Sequence, residues 1–367
     1  MAKIKHILLV TSEFPPGPGG IGNHSYNLAK QLSHNGFNIS VIAPNDKDFA
    51  LKFDESQNFN IYRYKNGSYV RLISILLLML RESLIDSKQI VIASGQIPLV
   101  LTCILGNIVF NKTLAVFHGH EFSLGNQLIK FLLKIFIGRF DKIISVSEFS
   151  KKRALMVKPN LKIKVINNGF DINRFKTVSQ FNKDFDGLKL ITLGSLSYRK
   201  GQHNVIKALP YIQKHYNNIE YGMIGTPYII EDLKKLAQSL NVEHLVKFYG
   251  SLNDDDVNKL LLKSDIFLML SESTKSGDVE GYGIAILEAN YLGLPAIGSL
   301  GCGIEDAITI GYNGQLIRYD NPQDLLLAIN SIYKSYEQYS KNSVKWAKKH
   351  SWDIISNYYL KEIKSIA

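Results

Sequence analysis

Short, fully apolar runs alternate with helix-like stretches along the whole chain, and this alternation constrains the fold more than any other feature. In the first half the runs KHILLVTS, NISVIAP, QIVIAS, TLAVFHG, DKIISVS and KVINNG are separated by stretches such as HSYNLAKQLSHNG and EFSKKRALMV. In the second half LKLITLGS, IEYGMIGT, VKFYGS, DIFLMLS, PAIGS and GQLIRYD alternate with HNVIKALPYIQKHY, EDLKKLAQSL, DVNKLLLKS and YGIAILEANYLG. A strand without a polar face must be covered on both sides, and helices between such strands supply the cover and impose parallel order. Each half carries about six strands, which predicts an α/β protein with two doubly wound, Rossmann-like domains. The length of 367 residues agrees, since it exceeds what one compact core usually holds. The stretch 170–187, FDINRFKTVSQFNKDFDG, is polar and follows neither period, so the expected domains are 1–170 and 171–345. A Lys- and Tyr-rich, helix-like tail with Trp346 and Trp352 follows, and 346–367 is set apart as a closing helix.

Charge divides the chain unevenly. Residues 1–170 carry 21 Lys and Arg against 10 Asp and Glu, a surplus of +11, and residues 171–367 carry 22 of each. Such asymmetry suits an anionic partner for the first half, and a solvated basic surface equally. YVRLISILLLMLRESL and NQLIKFLLKIFIGRF join Leu/Ile/Phe faces to Arg71, Arg81, Lys130, Lys134 and Arg139, as interfacial helices do and as core-facing helices also do. No aromatic platform or nucleic-acid motif accompanies the basic residues, which sets nucleic acid aside. Gln89–Asn111 is uncharged, but Ser94, Gly95, Gln96 and Pro98 break it into a strand, a turn and a helix and argue against a membrane span. MAKIKHILLVTSEF reads as a first strand and not a signal peptide. Cys103 and Cys302 lack metal spacing and suggest a reducing, cytosolic setting without zinc or disulfides.

Paired doubly wound domains bind ligands at the carboxyl ends of their strands, in a cleft, and four glycine- or histidine-bearing stretches fall there. EFPPGPGGIGNHSYNLAKQL places Gly19 and Gly20 where a strand gives way to a helix, so their amides can approach a phosphate; a plain turn explains them as well. GSLSYRKG (194–201) carries Arg199 and Lys200, able to neutralise a diphosphate leaving group or simply to be solvated. GDVEGYGIAILEA (277–289) puts Glu280 before a helix, beside the backbone of Gly281, Tyr282, Gly283 and Ile284, with Glu288 a turn inside. Carboxylates beside free amides suit sugar hydroxyls and a ribose diol; two surface glutamates on one helix face are the plainer alternative. FHGHEF places His118 at a strand end; His118, His120 and Glu121 make only a weak metal set. Asp254-Asp255-Asp256 reads as the N-cap and acidic first turn of a helix, not as a metal site.

Together these residues resemble the family 4 retaining nucleotide-sugar glycosyltransferases of the GT-B fold. The resemblance spans nearly the whole chain: GGIG, FHGHE, NNGFDINRF (167–175), GSLSYRKG, VEGYGIAILEA as an E-x7-E motif, GLPAIGSLGCGIEDAI and NGQLIRYDNPQDLLLAI. It implies two domains facing a central cleft, the first binding acceptor and the second the donor, with the closing helix crossing back to the N-domain. It implies donor contacts from Gly19, Gly20, Ser195, Arg199, Lys200, Gly281, Tyr282, Gly283, Ile284 and Glu288. His118, Glu280 and Lys200 would serve catalysis, by front-face attack with retention. No metal and no cofactor beyond a UDP- or GDP-sugar co-substrate is implied. The acceptor would be a glycan or lipid-linked glycan in polysaccharide or glycoconjugate biosynthesis, at an anionic surface on the inner face of the cytoplasmic membrane. Ser195 stands where the family carries an arginine, with Arg199 the compensating cation, and Cys302 replaces a glycine of the GG segment. The alternatives are a non-catalytic nucleotide-sugar- or lipid-binding subunit, and a GT-B epimerase or phosphorylase.

Overall fold

A computed structural model describes residues 6–45, 50–86, 89–119, 121–122, 127–176 and 187–367. The chain forms two compact units, one of residues 1–169 with 352–367 and one of residues 170–351. The expected linker 170–187 thus begins at the junction itself, and its residues 177–186 lie outside the described residues, as does His120.

In the first unit the elements run β1 (His6–Thr11), α1 (Gly20–His34), β2 (Asn38–Pro44), α2 (Ala50–Glu55), β3 (Asn60–Tyr64), α3 (Ser68–Ile85), β4 (Ile90–Ser94), α4 (Gln96–Val109), β5 (Lys112–Phe117), α5 (Gln127–Phe136), β6 (Lys142–Ser145), α6 (Glu148–Val157) and β7 (Ile163–Val165). The strands pair in parallel in the order β3-β2-β1-β4-β5-β6-β7. The order reverses between β1 and β4, so both strands end beside the point where a doubly wound sheet takes its ligand. Both are buried along their full length, which is why they read as unbroken apolar runs. The uncharged stretch 89–111 resolves into β4 and α4, and no helix among the described residues is long and apolar enough to cross a membrane.

The second unit repeats the plan with β8 (Leu188–Leu193), α7 (Gln202–Ile212), β9 (Ile219–Ile224), α8 (Ile230–Ser239), β10 (Val246–Gly250), α9 (Asp254–Lys263), β11 (Ile266–Met269), α10 (Ile284–Tyr291), β12 (Ala296–Ser299), β13 (Gly314–Ile317), α11 (Pro322–Lys334) and α12 (Tyr336–Lys348). Its strands are parallel in the order β10-β9-β8-β11-β12-β13. One core packs Leu188, Leu190, Tyr221 and Leu268 of the sheet against Val205, Leu209, Leu233 and Ile329 of α7, α8 and α11.

The tail differs from expectation. Trp346 lies in α12, where its indole N–H donates to the Ala307 carbonyl at 2.9 Å, so residues 346–351 belong to the second unit. The chain leaves that unit after Ser351, which bridges to Phe170. The closing helix α13 (Trp352–Ile366) then packs within the first unit on α1. Tyr359 Oη lies 2.9 Å from His24 Nε2, Gln31 donates to Asp353 at 2.9 Å, and Lys142 pairs with Glu362 at 2.8 Å. Trp352 takes the space beside Gly169, where a Cβ would come within 2.8 Å of the indole.

Candidate functional site

In the second unit the loop after β8 and the approach to α10 meet around one carboxylate. Gly194, at φ 143°, carries no side chain to obstruct Lys200, whose Cε would lie 3.3 Å from a Cβ there. Gly201, at φ 76°, passes so close to the Leu270 carbonyl that a Cβ would overlap it. These two glycines fold 194–201 back so that Arg199 and Lys200, in a single 3₁₀ turn, reach Glu280. Lys200 Nζ is 2.7 Å from Glu280 Oε2, Arg199 Nη1 binds the same oxygen, and Arg199 Nε lies 3.2 Å from Asp278. Glu280 is only 8% exposed. Burial pushes its carboxyl up, but the Lys200 and Arg199 charges, a hydrogen bond from Lys200 and the Tyr282 amide bring it down to about 2. Two cations and two carboxylates therefore balance here.

Helix α10 starts at Ile284 behind Gly283, which is left-handed at φ 89°. Gly281 and Ile284 are half-buried; Tyr282 is a core residue, 1% exposed, and its backbone amide is what binds Glu280. Ser195 is half-buried, and its carbonyl accepts from Gln202 at 3.1 Å. Glu288, on the first turns of α10, does not join the Glu280 cluster. Its Oε1 takes a 2.7 Å hydrogen bond from Arg174 Nη1, and Arg174 also grips Asp254 at 2.7 Å. Burial raises the Glu288 pKa, with Arg174 opposing and Asp254 reinforcing the rise. In the sequence Arg174 is a lone arginine within NNGFDINRF, with no local signal of these partners.

The acidic run at 254–256 is the first turn of α9, but its N-cap is Asn253, whose side chain accepts from the Asp256 amide. Asp254, Asp255 and Asp256 pair with Arg174, Lys176 and Lys259. His203, buried, and Glu272, half-buried, lie 2.9 Å apart in a further pair that no sequence motif marked.

Gly19, Gly20 and His118 belong to the first unit. Gly19 has φ 149°, and a Cβ there would overlap the carboxylate of Glu13, which also accepts from the Gly22 amide at 3.3 Å. The glycine run thus makes room for an acid of this chain at the start of α1, where the helix dipole favours an anion. His118 closes β5, is 6% exposed, and lies 2.9 Å from Ser94 Oγ through Nε2. Its ring meets His24 edge to face at 5.0 Å. Burial lowers the His24 pKa to about 3 and keeps that ring neutral. Glu121 binds the backbone, accepting from the amides of His118 and Gly119 at 2.6 and 2.8 Å. No cluster of metal-ligating side chains occurs among the described residues.

Two family models divide the chain between them: Glycosyltransferase Family 4 matches residues 18–174 and Glycosyl transferases group 1 matches residues 173–350. An uncharacterized glycosyltransferase of Methanocaldococcus jannaschii is 25% identical over 95% of both chains. A GDP-mannose-dependent alpha-(1-6)-phosphatidylinositol monomannoside mannosyltransferase of Mycobacterium tuberculosis is 26% identical over 86% of this chain and 85% of its own. Among solved structures, Anabaena HepE in complex with UDP and glucose superposes with a TM-score of 0.77 and 20% identity, covering 98% of this chain and all of that one.

Proposed function

Because the chain belongs to the family 4 glycosyltransferases of the GT-B fold, we propose that it transfers a hexose-type sugar, with retention, from a nucleotide diphosphate to a glycan or lipid-linked acceptor. The observation that carries this reading is the convergence of Lys200 and Arg199 on Glu280 in the unit matched by the group 1 model. As the bond from the anomeric carbon to the diphosphate oxygen breaks, negative charge grows on the leaving group, and Lys200 and Arg199 neutralise it. Glu280, ionised at neutral pH, accepts hydrogen bonds from sugar hydroxyls. The acceptor oxygen forms the new bond on the same face and gives its proton to the departing phosphate. Glu288 would take the ribose; in the first unit, the polar groups offered to a ligand are His118 and, once Glu13 yields, the Gly19 and Gly20 amides. No metal is needed where two cations already meet the diphosphate.

A nucleotide-sugar donor is supported by the UDP and glucose held by the Anabaena protein and by the GDP-mannose dependence of the mycobacterial relative. That relative's phosphatidylinositol acceptor supports a lipid-linked one here. The surface of the first unit supports work at the inner face of the cytoplasmic membrane. Leu128, Phe131 and Ile135 form an exposed stripe on α5 beside Lys134 and Arg139, and Val70, Ile73, Leu77 and Leu84 form another on α3.

A thermal-shift panel of UDP-, GDP- and ADP-sugars tests the donor reading. The true donor should raise Tm in the wild type and far less in Lys200→Ala, and a protein indifferent to all of them is not this enzyme. Vesicle co-sedimentation tests the membrane. Binding should need anionic lipid, fall with salt and weaken in Phe131→Ser, and binding indifferent to lipid charge removes the membrane part.

A further inference from the structure

The Arg174–Glu288 pair has a geometry that a simple structural staple does not require. Asp254 receives the guanidinium through two nitrogens, Nη2 at 2.7 Å and Nε at 3.2 Å, which leaves Nη1 for a single oxygen of Glu288. Asn258 fixes the backbone beneath, donating to the carbonyls of Arg174 at 2.9 Å and Asp254 at 2.7 Å. The guanidinium carbon sits 5.4 Å from the centroid of the Phe175 ring. Arg174 is therefore held by its main chain, by the Phe175 ring beneath its guanidinium and by an exposed acid before it reaches the buried one.

We propose that Arg174 is a positioning residue that holds Glu288 by Oε1 alone and so presents Oε2 to the ribose diol of the nucleotide donor. The inference rests on the reading of Glu288 as the ribose contact. A carboxylate grasped through both oxygens could accept little more, and one left loose in a buried setting would take up a proton. Arg174 avoids both outcomes. The charged groups that act on Glu288 are Arg174, Asp254 and Lys200; burial and Asp254 favour the neutral acid, and Arg174 and Lys200 favour the anion. A lysine at 174 offers a point charge that cannot grip Asp254 with two nitrogens and reach Glu288 with a third.

The experiment measures, by calorimetry, the affinities of UDP, GDP and ADP and of their 2′-deoxy forms. For the diphosphate that binds, the wild type should prefer the ribo form by about 10-fold, the worth of one hydrogen bond to a charged group. Glu288→Gln should lose that preference. Arg174→Gln should lose most of it too, with the affinity of the deoxy form nearly unchanged, and its ribo binding should weaken at a higher pH than in the wild type as Glu288 protonates earlier. Arg174→Lys should not restore it. If Glu288→Gln abolishes the preference and Arg174→Gln keeps it, Arg174 is a staple and the inference fails while the ribose reading stands. If Glu288→Gln keeps the preference, or no nucleoside diphosphate binds, the ribose reading fails and takes the inference with it. Should Arg174→Gln not fold, Asp254→Asn reads the same ratio, which should fall because the guanidinium is no longer aimed; an unchanged ratio there overturns the proposal.

Discussion

The start of α1 and the start of α10 use the same parts to different ends. Each is a glycine run between a strand and a helix, and each has a carboxylate bound to a backbone amide: Glu13 to Gly22, and Glu280 to Tyr282. At α1 the glycines make room for the acid itself, since a Cβ on Gly19 would overlap it. At α10 the acid also gathers Arg199 and Lys200 from a loop 80 residues earlier, as the pairs 199–280 and 200–280 show. The glycines mark where backbone passes close, and the charges that converge there decide what the place can do chemically.

Removing Lys200 should break that contrast most severely. Lys200→Ala leaves Arg199 on Glu280, so the fold should hold, but transfer should fall by about 100- to 1,000-fold, as when one preorganised group is lost from a developing charge. A steady-state rate within a few-fold of wild type, with the variant's Tm unchanged, would falsify the catalytic assignment of the α10 cluster.

The acid limb of stability is the next largest difference. In the fold Glu280 titrates at about 2, below its ordinary value of 4.5. Its stabilising effect is thus complete above about pH 4.5 and disappears as pH falls towards 2, a change of roughly 3 kcal/mol at most. Glu288 has the opposite sign: its raised pKa means that the fold takes up the proton first, so protonation there favours the folded state as pH falls. Urea unfolding between pH 5 and 2 should show a steep loss in the wild type and a shallower one in Glu280→Gln. Equal slopes would mean that the two cations do not hold Glu280 as described.

Both sheets were legible because most of their strands are buried on both faces and so carry no polar residues to confuse the pattern. The strand not foreseen is β3, NIYRY, whose residues are mostly half-exposed and include Asn60 and Arg63. It lies at the sheet edge, where one side needs no cover. The end of α12 was illegible for another reason. Lys- and Tyr-rich periodicity runs on from Trp346 towards Trp352, and the break at 349–351 comes from the pairing of Ser351 and the His350 carbonyl with Phe170, a partner 181 positions away, 351 less 170. Within the site, Gly194, Gly201 and Gly283 marked the loops correctly, because positive φ leaves few other choices. Arg174, Asp254 and Asp278 went unread as site neighbours. Their meaning is a set of long-range ion pairs, and a lone arginine or a helix-start acid has no local signature of its partner.

The smallest expected effect bears on the α1 side of the contrast. Gly19→Ala forces a side chain onto a residue at φ 149° and into the Glu13 carboxylate, and should cost about 1–3 kcal/mol. The two causes separate in a double-mutant cycle with Glu13→Ala. Removing the carboxylate relieves the overlap but not the backbone strain, so Gly19→Ala should cost less in that background by about 0.5–1 kcal/mol. Denaturant midpoints of the four proteins give the coupling directly. A coupling near zero would mean that Gly19 answers to φ alone and that Glu13 merely passes nearby. The start of α1 would then be an ordinary turn.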